Sequence, residues 1–230
     1  MDFNDDKTPE ATATASTDRP GQFSIASLRR FMPQRAPAEQ CDLCGSAVAA
    51  EHEHLVEPET RKLLCACPAC AVLFSAQTGT KYRRVPRSAR LLRDFQLTDT
   101  QWESLLVPID MAFFFYSSLL GKLVALYPSP AGPTESLLPL ESWKDIENAN
   151  PILRTMQPDV EALLVNRVRS ARVYYIAPID ECYKLVGLIR ANWRGLSGGT
   201  EVWQAIEEFF TTLDARATVT SDHGAAPPAQ

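Results

Sequence analysis

The sequence predicts an α+β protein: a small cysteine-rich module first, a strand-rich mixed sheet in the middle, and a helix pair at the C-terminal end. Three observations carry this reading. Five of the six cysteines fall within residues 41–70. Residues 109–178 hold several short runs rich in β-branched and aromatic residues, which suit strands. Residues 181–217 hold two stretches whose apolar residues recur at helical spacing. There is no internal repeat, and strands followed by helices, rather than alternating with them, is the α+β order.

Composition sets the boundaries. The chain has 230 residues and is 45% hydrophobic and 22% charged, which fits a globular chain with room for one ordinary domain plus a small module. Residues 1–22 and 218–230 are polar and nearly free of large apolar side chains. Neither end buries enough apolar surface to offset its chain entropy, so both are expected to be disordered tails. Between them, 23–78 reads as the cysteine module and 79–217 as the α+β domain.

The net charge of −5 gives no support for nucleic-acid or acidic-membrane binding. The N-terminus lacks the basic and apolar regions of a secretory signal. The longest strongly apolar run, Met111–Tyr116, is far short of the roughly 20 residues that span a bilayer. These features predict a cytoplasmic protein without membrane insertion. A reducing cytosol disfavours disulfides, so the clustered cysteines need another explanation.

In chain order, residues 23–37 read as a short helix ended by prolines. His54–Val56 and Lys62–Leu64 read as strands joined by a turn at Glu57–Glu59. Residues 80–93 are basic. Thr98, with Gln101 three residues on, is a capping box for a short helix. Residues 109–127 read as two strands joined near Ser117–Lys122, with Ser136–Leu140 as a further short strand. Ser142 is expected to cap a helix through Asn148. EALLVNRV and VYYIAP are strand-like. Asp180 is expected to cap the next helix, with Cys182, Leu185, Val186, Ile189 and Trp193 on one face and Gly195 at its end. Thr200 is expected to cap the last, with Val202, Trp203, Ile206, Phe209, Phe210 and Leu213 as its stripe.

The chemistry concentrates in the cysteines. Cys41-x-x-Cys44, followed by Gly45, and Cys67-x-x-Cys70 are two turns that can each aim two sulfurs at one ion. Together they supply a tetrahedral S₄ site, which suits Zn²⁺ in a structural role. Two such turns joined by a hairpin is the plan of a zinc ribbon. Iron is the alternative ion, because FeS₄ and ZnS₄ share their donors. Cys65 is a third thiol beside the second pair, either a spare strand thiol or an alternate ligand. His54 is the other alternate; with His52 it alternates along the strand and otherwise reads as a partly exposed strand histidine.

Other readings carry less. The segment superficially resembles an HNH nuclease, but Ala71-Val72-Leu73 follows Cys70 where a final ligand would be needed. A rubredoxin-like electron carrier would place a Gly after each cysteine pair, and Ala71 breaks that pattern. The basic stretch Lys81, Arg83, Arg84, Arg87, Arg90 and Arg93 suggests phosphate contacts, or else a solvated helix face or a docking patch. Cys182 reads as a small core residue. Phe113–Tyr116 reads as core on one side and a surface for a partner on the other. No Gly-rich phosphate loop or Ser/His/Asp set is present, so no catalytic residue is assigned and the chain reads as non-enzymatic.

The phrases CDLCG, EHEHLVE, LLCACPAC, YPSPAGPTESLLPLESW, PDVEALLVNR and IDECYKLVGLIRANWRGLSGGTEVW together resemble an uncharacterised bacterial family encoded beside high-affinity nickel–iron uptake hydrogenases. The resemblance covers roughly residues 23–217. It implies a context rather than an activity: an accessory protein that contacts a hydrogenase subunit or maturation factor during assembly, or that serves delivery of its metal or electron-transfer parts.

Overall fold

The computed structural model describes residues 39–75, 80–136, 140–195 and 198–220. The helix expected over 23–37, the tail at 1–22 and residues 221–230 lie outside the described residues.

The first sheet grows from the cysteine segment. β1 (Glu53–Glu57) and β2 (Lys62–Ala66) pair antiparallel, with Leu55 opposite Leu64 and Val56 opposite Leu63. The reversal falls at Pro58–Arg61, a residue later than expected, because Glu57 still belongs to β1. β2 leads into α1 (Pro68–Ser75), a helix that opens on a proline, where the missing amide costs nothing. β3 (Arg83–Arg84) then pairs antiparallel with the other edge of β1. The basic stretch is therefore strand and loop, not a helix face. Leu55, Leu64, Ala66 and Ala71 form a small core beneath these elements, with Leu43 and Tyr82 packed against it.

The second sheet has seven strands. They are β4 (Arg90–Leu92), β5 (Met111–Ser117), β6 (Lys122–Ser129), β7 (Gly132–Ser136), β8 (Glu161–Asn166), β9 (Val173–Pro178) and β10 (Thr218–Thr220). Their order is β10-β4-β9-β8-β5-β6-β7. Every pairing is antiparallel except β10 with β4, so the sheet is mixed, as expected. Of the further strand expected at Ser136–Leu140, Ser136 is the last residue of β7 and Leu140 opens a helix, while residues 137–139 lie outside the described residues. Pro128 of β6 and Pro133 of β7 face each other in their hairpin; Pro133 is tolerated because β7 is an edge strand, and Pro128 lies beyond the β6 residues paired with β5. Thr218–Thr220, which composition assigns to a tail, adds the strand at the opposite edge.

Residues alternate across this sheet, and both faces are covered. On one face Phe113, Phe115, Leu164 and Tyr175 pack against α4 (Ile179–Asn192) and α5 (Gly199–Arg216), the expected C-terminal helix pair. On the other, Phe114, Leu163 and Ile176 pack against Trp102 of α2 (Asp99–Ser104), Trp143 and Ile146 of α3 (Leu140–Ala149), and the 3-10 turn Pro151–Thr155. Phe114 is fully buried against Trp143, with ring centroids 5.3 Å apart. The aromatic run is therefore core on both sides and offers no partner surface.

The helix starts divide. Thr98 caps α2 through the expected capping box with Gln101. α3 begins at Leu140, ahead of Ser142. α4 begins directly after Pro178, which makes no side-chain cap, and Asp180 sits inside the first turn. α5 begins after Gly198, whose φ of 89° replaces a side-chain cap at Thr200. α4 ends at Asn192, before Gly195, whose carbonyl accepts from the Trp193 indole. Cys182, Leu185, Val186 and Ile189 are buried in the core as the periodicity requires, and Trp193 packs at its margin.

Candidate metal centre

The first cysteine pair sits on a tight turn made by backbone geometry. Gly45 donates its amide to the Cys41 carbonyl at 2.8 Å and adopts a φ of 73°, a conformation that glycine takes without strain. The turn is tied to β2 from both sides. Asp42 N–H donates to the Cys65 carbonyl at 2.8 Å, and Cys65 N–H donates to Asp42 Oδ2 at 2.6 Å. The second pair sits at the β2–α1 junction, where the Cys70 amide approaches Cys67 Sγ at 3.4 Å. α1 thus begins at the second pair and holds Cys67 and Cys70 one helical turn apart.

These two turns bring Cys41, Cys44, Cys67 and Cys70 together, with all four sulfurs within 4.8 Å of one another. Cys44 and Cys67 sulfurs are 3.8 Å apart. A tetrahedral ion with 2.3 Å metal–sulfur bonds sets its ligands about 3.8 Å from each other. Cys41 and Cys70 are buried, while Cys44 is exposed at the rim.

The electrostatics favour an ion. Burial pushes the Cys41 thiol up, but backbone amides of Cys67, Leu43 and Cys44 outweigh it and hold the thiol down to about 6. The Cys70 amide lowers Cys67. Burial, then hydrogen bonding to the neighbouring thiols, pushes Cys70 up to about 12. Four sulfurs this close cannot all ionise without a cation, since each thiolate disfavours the next. A divalent ion removes that conflict, so the donor set fits a thiolate-bound metal.

The alternates fall elsewhere. Cys65 and His54 belong to a separate group with His52, and neither joins the four sulfurs. His52 precedes β1 rather than lying on it, and the residue is half-buried with its side chain 5% exposed. Asp180, released from the cap, places Oδ2 2.8 Å from His54 Nδ1. No local pattern pointed to that contact, because it joins residues 126 positions apart.

Five of the six residues of the basic stretch, Lys81, Arg83, Arg84, Arg87 and Arg90, are engaged internally. Arg84 makes two 2.9 Å hydrogen bonds to Glu53, Arg83 pairs with the buried Asp159 at 2.9 Å, Lys81 pairs with Glu57, and Arg90 with Glu161 at 3.3 Å. Arg87 reaches Glu53 at 3.5 Å.

A family model described as a family of unknown function, DUF5947, matches residues 40–217. The chain belongs to DUF5947. No curated protein and no solved structure matches it. The DUF5947 match begins one residue before Cys41 and ends one residue past α5, so both donor groups and all three hydrophobic clusters lie inside it. Among the described residues no helix is long and apolar enough to cross a membrane.

Proposed function

We propose that this DUF5947 chain is a non-enzymatic accessory protein built around a structural Zn²⁺ held by Cys41, Cys44, Cys67 and Cys70. The observation that carries the reading is the closure of four thiols to tetrahedral spacing by two turns whose backbone amides face the sulfurs. Four protein donors leave no coordination position open, which suits a scaffold rather than a catalyst.

The function then lies on the surfaces the ion holds in place. Val72 and Leu73 of α1 are 56% and 63% exposed directly after the second cysteine pair, which supports a protein contact there. The finer reading is support of nickel–iron hydrogenase assembly through a hydrogenase subunit or maturation factor. It rests on the resemblance of the quoted phrases. The internal pairing of Lys81, Arg83, Arg84 and Arg90 supports a protein partner over a nucleic acid.

Elemental analysis of protein purified without added metal tests the core of this reading. Zinc is expected at the four-thiol centre, and Cys44→Ser is expected to lose it. Iron with visible thiolate charge-transfer absorption would instead identify a rubredoxin-like carrier. Full hydrogenase maturation in cells lacking the protein would refute the assembly role.

A further inference from the structure

Beside the four-thiol centre, on the same strand pair, lies a group of donors that the scaffold reading leaves unused. His54 and Cys65 are directly opposed across β1 and β2. Opposed residues of an antiparallel pair project from the same face. His52 lies two residues before His54, with the two rings edge-on and their centroids 4.6 Å apart. One ring nitrogen of each histidine and the Cys65 sulfur lie within 4.8 Å of one another.

Each ring is held through Nδ1. His54 Nδ1 meets Asp180 Oδ2 at 2.8 Å, and His52 Nδ1 meets the Ala49 carbonyl at 2.9 Å, with Glu39 3.5 Å away. A carbonyl accepts and does not donate, so His52 Nδ1 carries the proton and Nε2 presents a lone pair. The Asp180 carboxylate sets the same tautomer on His54. His52 Nε2 is buried and has no hydrogen-bond partner among the described residues. A buried lone pair held in a fixed orientation, with a second imidazole and a thiol in reach, is the arrangement of a metal ligand. The oxygen behind each ring is the outer support that such ligands use.

We propose that His52, His54 and Cys65 form a second metal site, an N₂S set for a borderline divalent transition ion such as Zn²⁺ or Co²⁺, with Asp180 positioning His54. Imidazole and thiolate together select such ions over Mg²⁺ or Ca²⁺. On binding, the Cys65 thiol gives its proton to solvent and its sulfur bonds the ion. Three protein donors leave one tetrahedral position for water or a small exogenous ligand. His52, His54 and Asp180 line a cleft of about 400 Å³ between the first sheet and α4, and this cleft gives ion and ligand a way in. A Cys–His–Asp nucleophile would use three of the same residues but would leave the oriented, unpartnered His52 without a role.

Metal stoichiometry on the full chain tests this. After equilibration with excess Zn²⁺ and gel filtration, the wild type is expected to hold two ions. His52→Ala and Cys65→Ser are each expected to hold one. Co²⁺ titration of the wild type is expected to show two absorption signatures, one of S₄ and one of N₂S type, with only the S₄ signature left in His52→Ala. Asp180→Asn is expected to keep both signatures and weaken the second ion by about 10–100-fold. A folded wild type with one ion, lost in Cys44→Ser and kept in His52→Ala, would overturn this site and leave the four-thiol centre standing. A single ion lost in His52→Ala and kept in Cys44→Ser would do the reverse. Alkylation of Cys65 at equal rates with and without Co²⁺ would also overturn it.

Discussion

Tyr116 ties β5 to α3 through one hydroxyl, which donates to Glu147 Oε1 at 2.8 Å and accepts from the Trp143 indole at 3.0 Å. Burial pushes that phenol up to about 12, so it keeps its proton and its donor role at neutral pH. Tyr116→Phe strands the indole N–H and is expected to lower stability by about 1–3 kcal/mol in urea unfolding. Glu53 makes a pH prediction. Its carboxyl is held below the usual glutamate range, first by its hydrogen bonds to Arg84, against the opposing effect of burial. A depressed folded value adds stability that is fully present above the ordinary glutamate pKa of about 4.3 and is lost as pH falls through the folded value. The stability gap between wild type and Glu53→Gln is therefore expected to be full near pH 7 and to close in acid; a gap that widened on acidification would contradict the pairing. At this scale the sequence was legible where a residue acts on near neighbours. The two Cys-x-x-Cys turns and the Thr98–Gln101 box are of that kind. It was not legible where one short-range role hid a distant one. Asp180 had the look of a cap, and only the folded chain brings it to His54.

At the scale of elements, side-chain type located β5, β6, β8 and β9 through their β-branched and aromatic content, and the buried stripes of both C-terminal helices through their 3.6-residue spacing. It failed where backbone geometry rather than side-chain type sets a boundary. α5 follows Gly198, which sits in a left-handed conformation, and a Cβ built there would lie 2.8 Å from Val202 Cγ1 and 3.2 Å from the Trp193 ring. Gly198→Ala combines a conformational cost of about 1–2 kcal/mol with that collision, so a fall in thermal stability of at least this size is expected. α1 was missed because its eight residues are mostly apolar and show little amphipathic contrast; it takes its place from Cys67 and Cys70 rather than from a stripe. Gly132–Glu135 does not read as a strand from sequence because Pro133 argues against one, and its edge position reconciles the two.

The whole molecule has two sheets with unequal means of support. The seven-stranded sheet is buried on both faces, whereas the core that belongs to β1–β3 has four small or medium residues, with Val56 and Leu63 reaching the larger core. Structural zinc contributes on the order of 10–16 kcal/mol to small zinc domains, which is the scale such a core lacks. Chelation is therefore expected to remove hydrogen-exchange protection from β1–β3 while β5, β8 and β9 keep theirs; uniform loss across both sheets would show that the ion supports the entire fold. The class and the cysteine centre were legible because each depends on short spacings, while the closing of the large sheet was not. That closure has a consequence in time. β10 pairs with β4, and Thr218 donates to the carbonyl of Ala89, just before β4, across 129 positions. Contacts of such separation are slow to form, and a chain emerging at about 5–20 residues per second exposes its early segments first. The cysteine module has all its donors within the first third of the chain and is free to close around an ion early. β4 waits, one edge open, until the last strand of the sheet has been made.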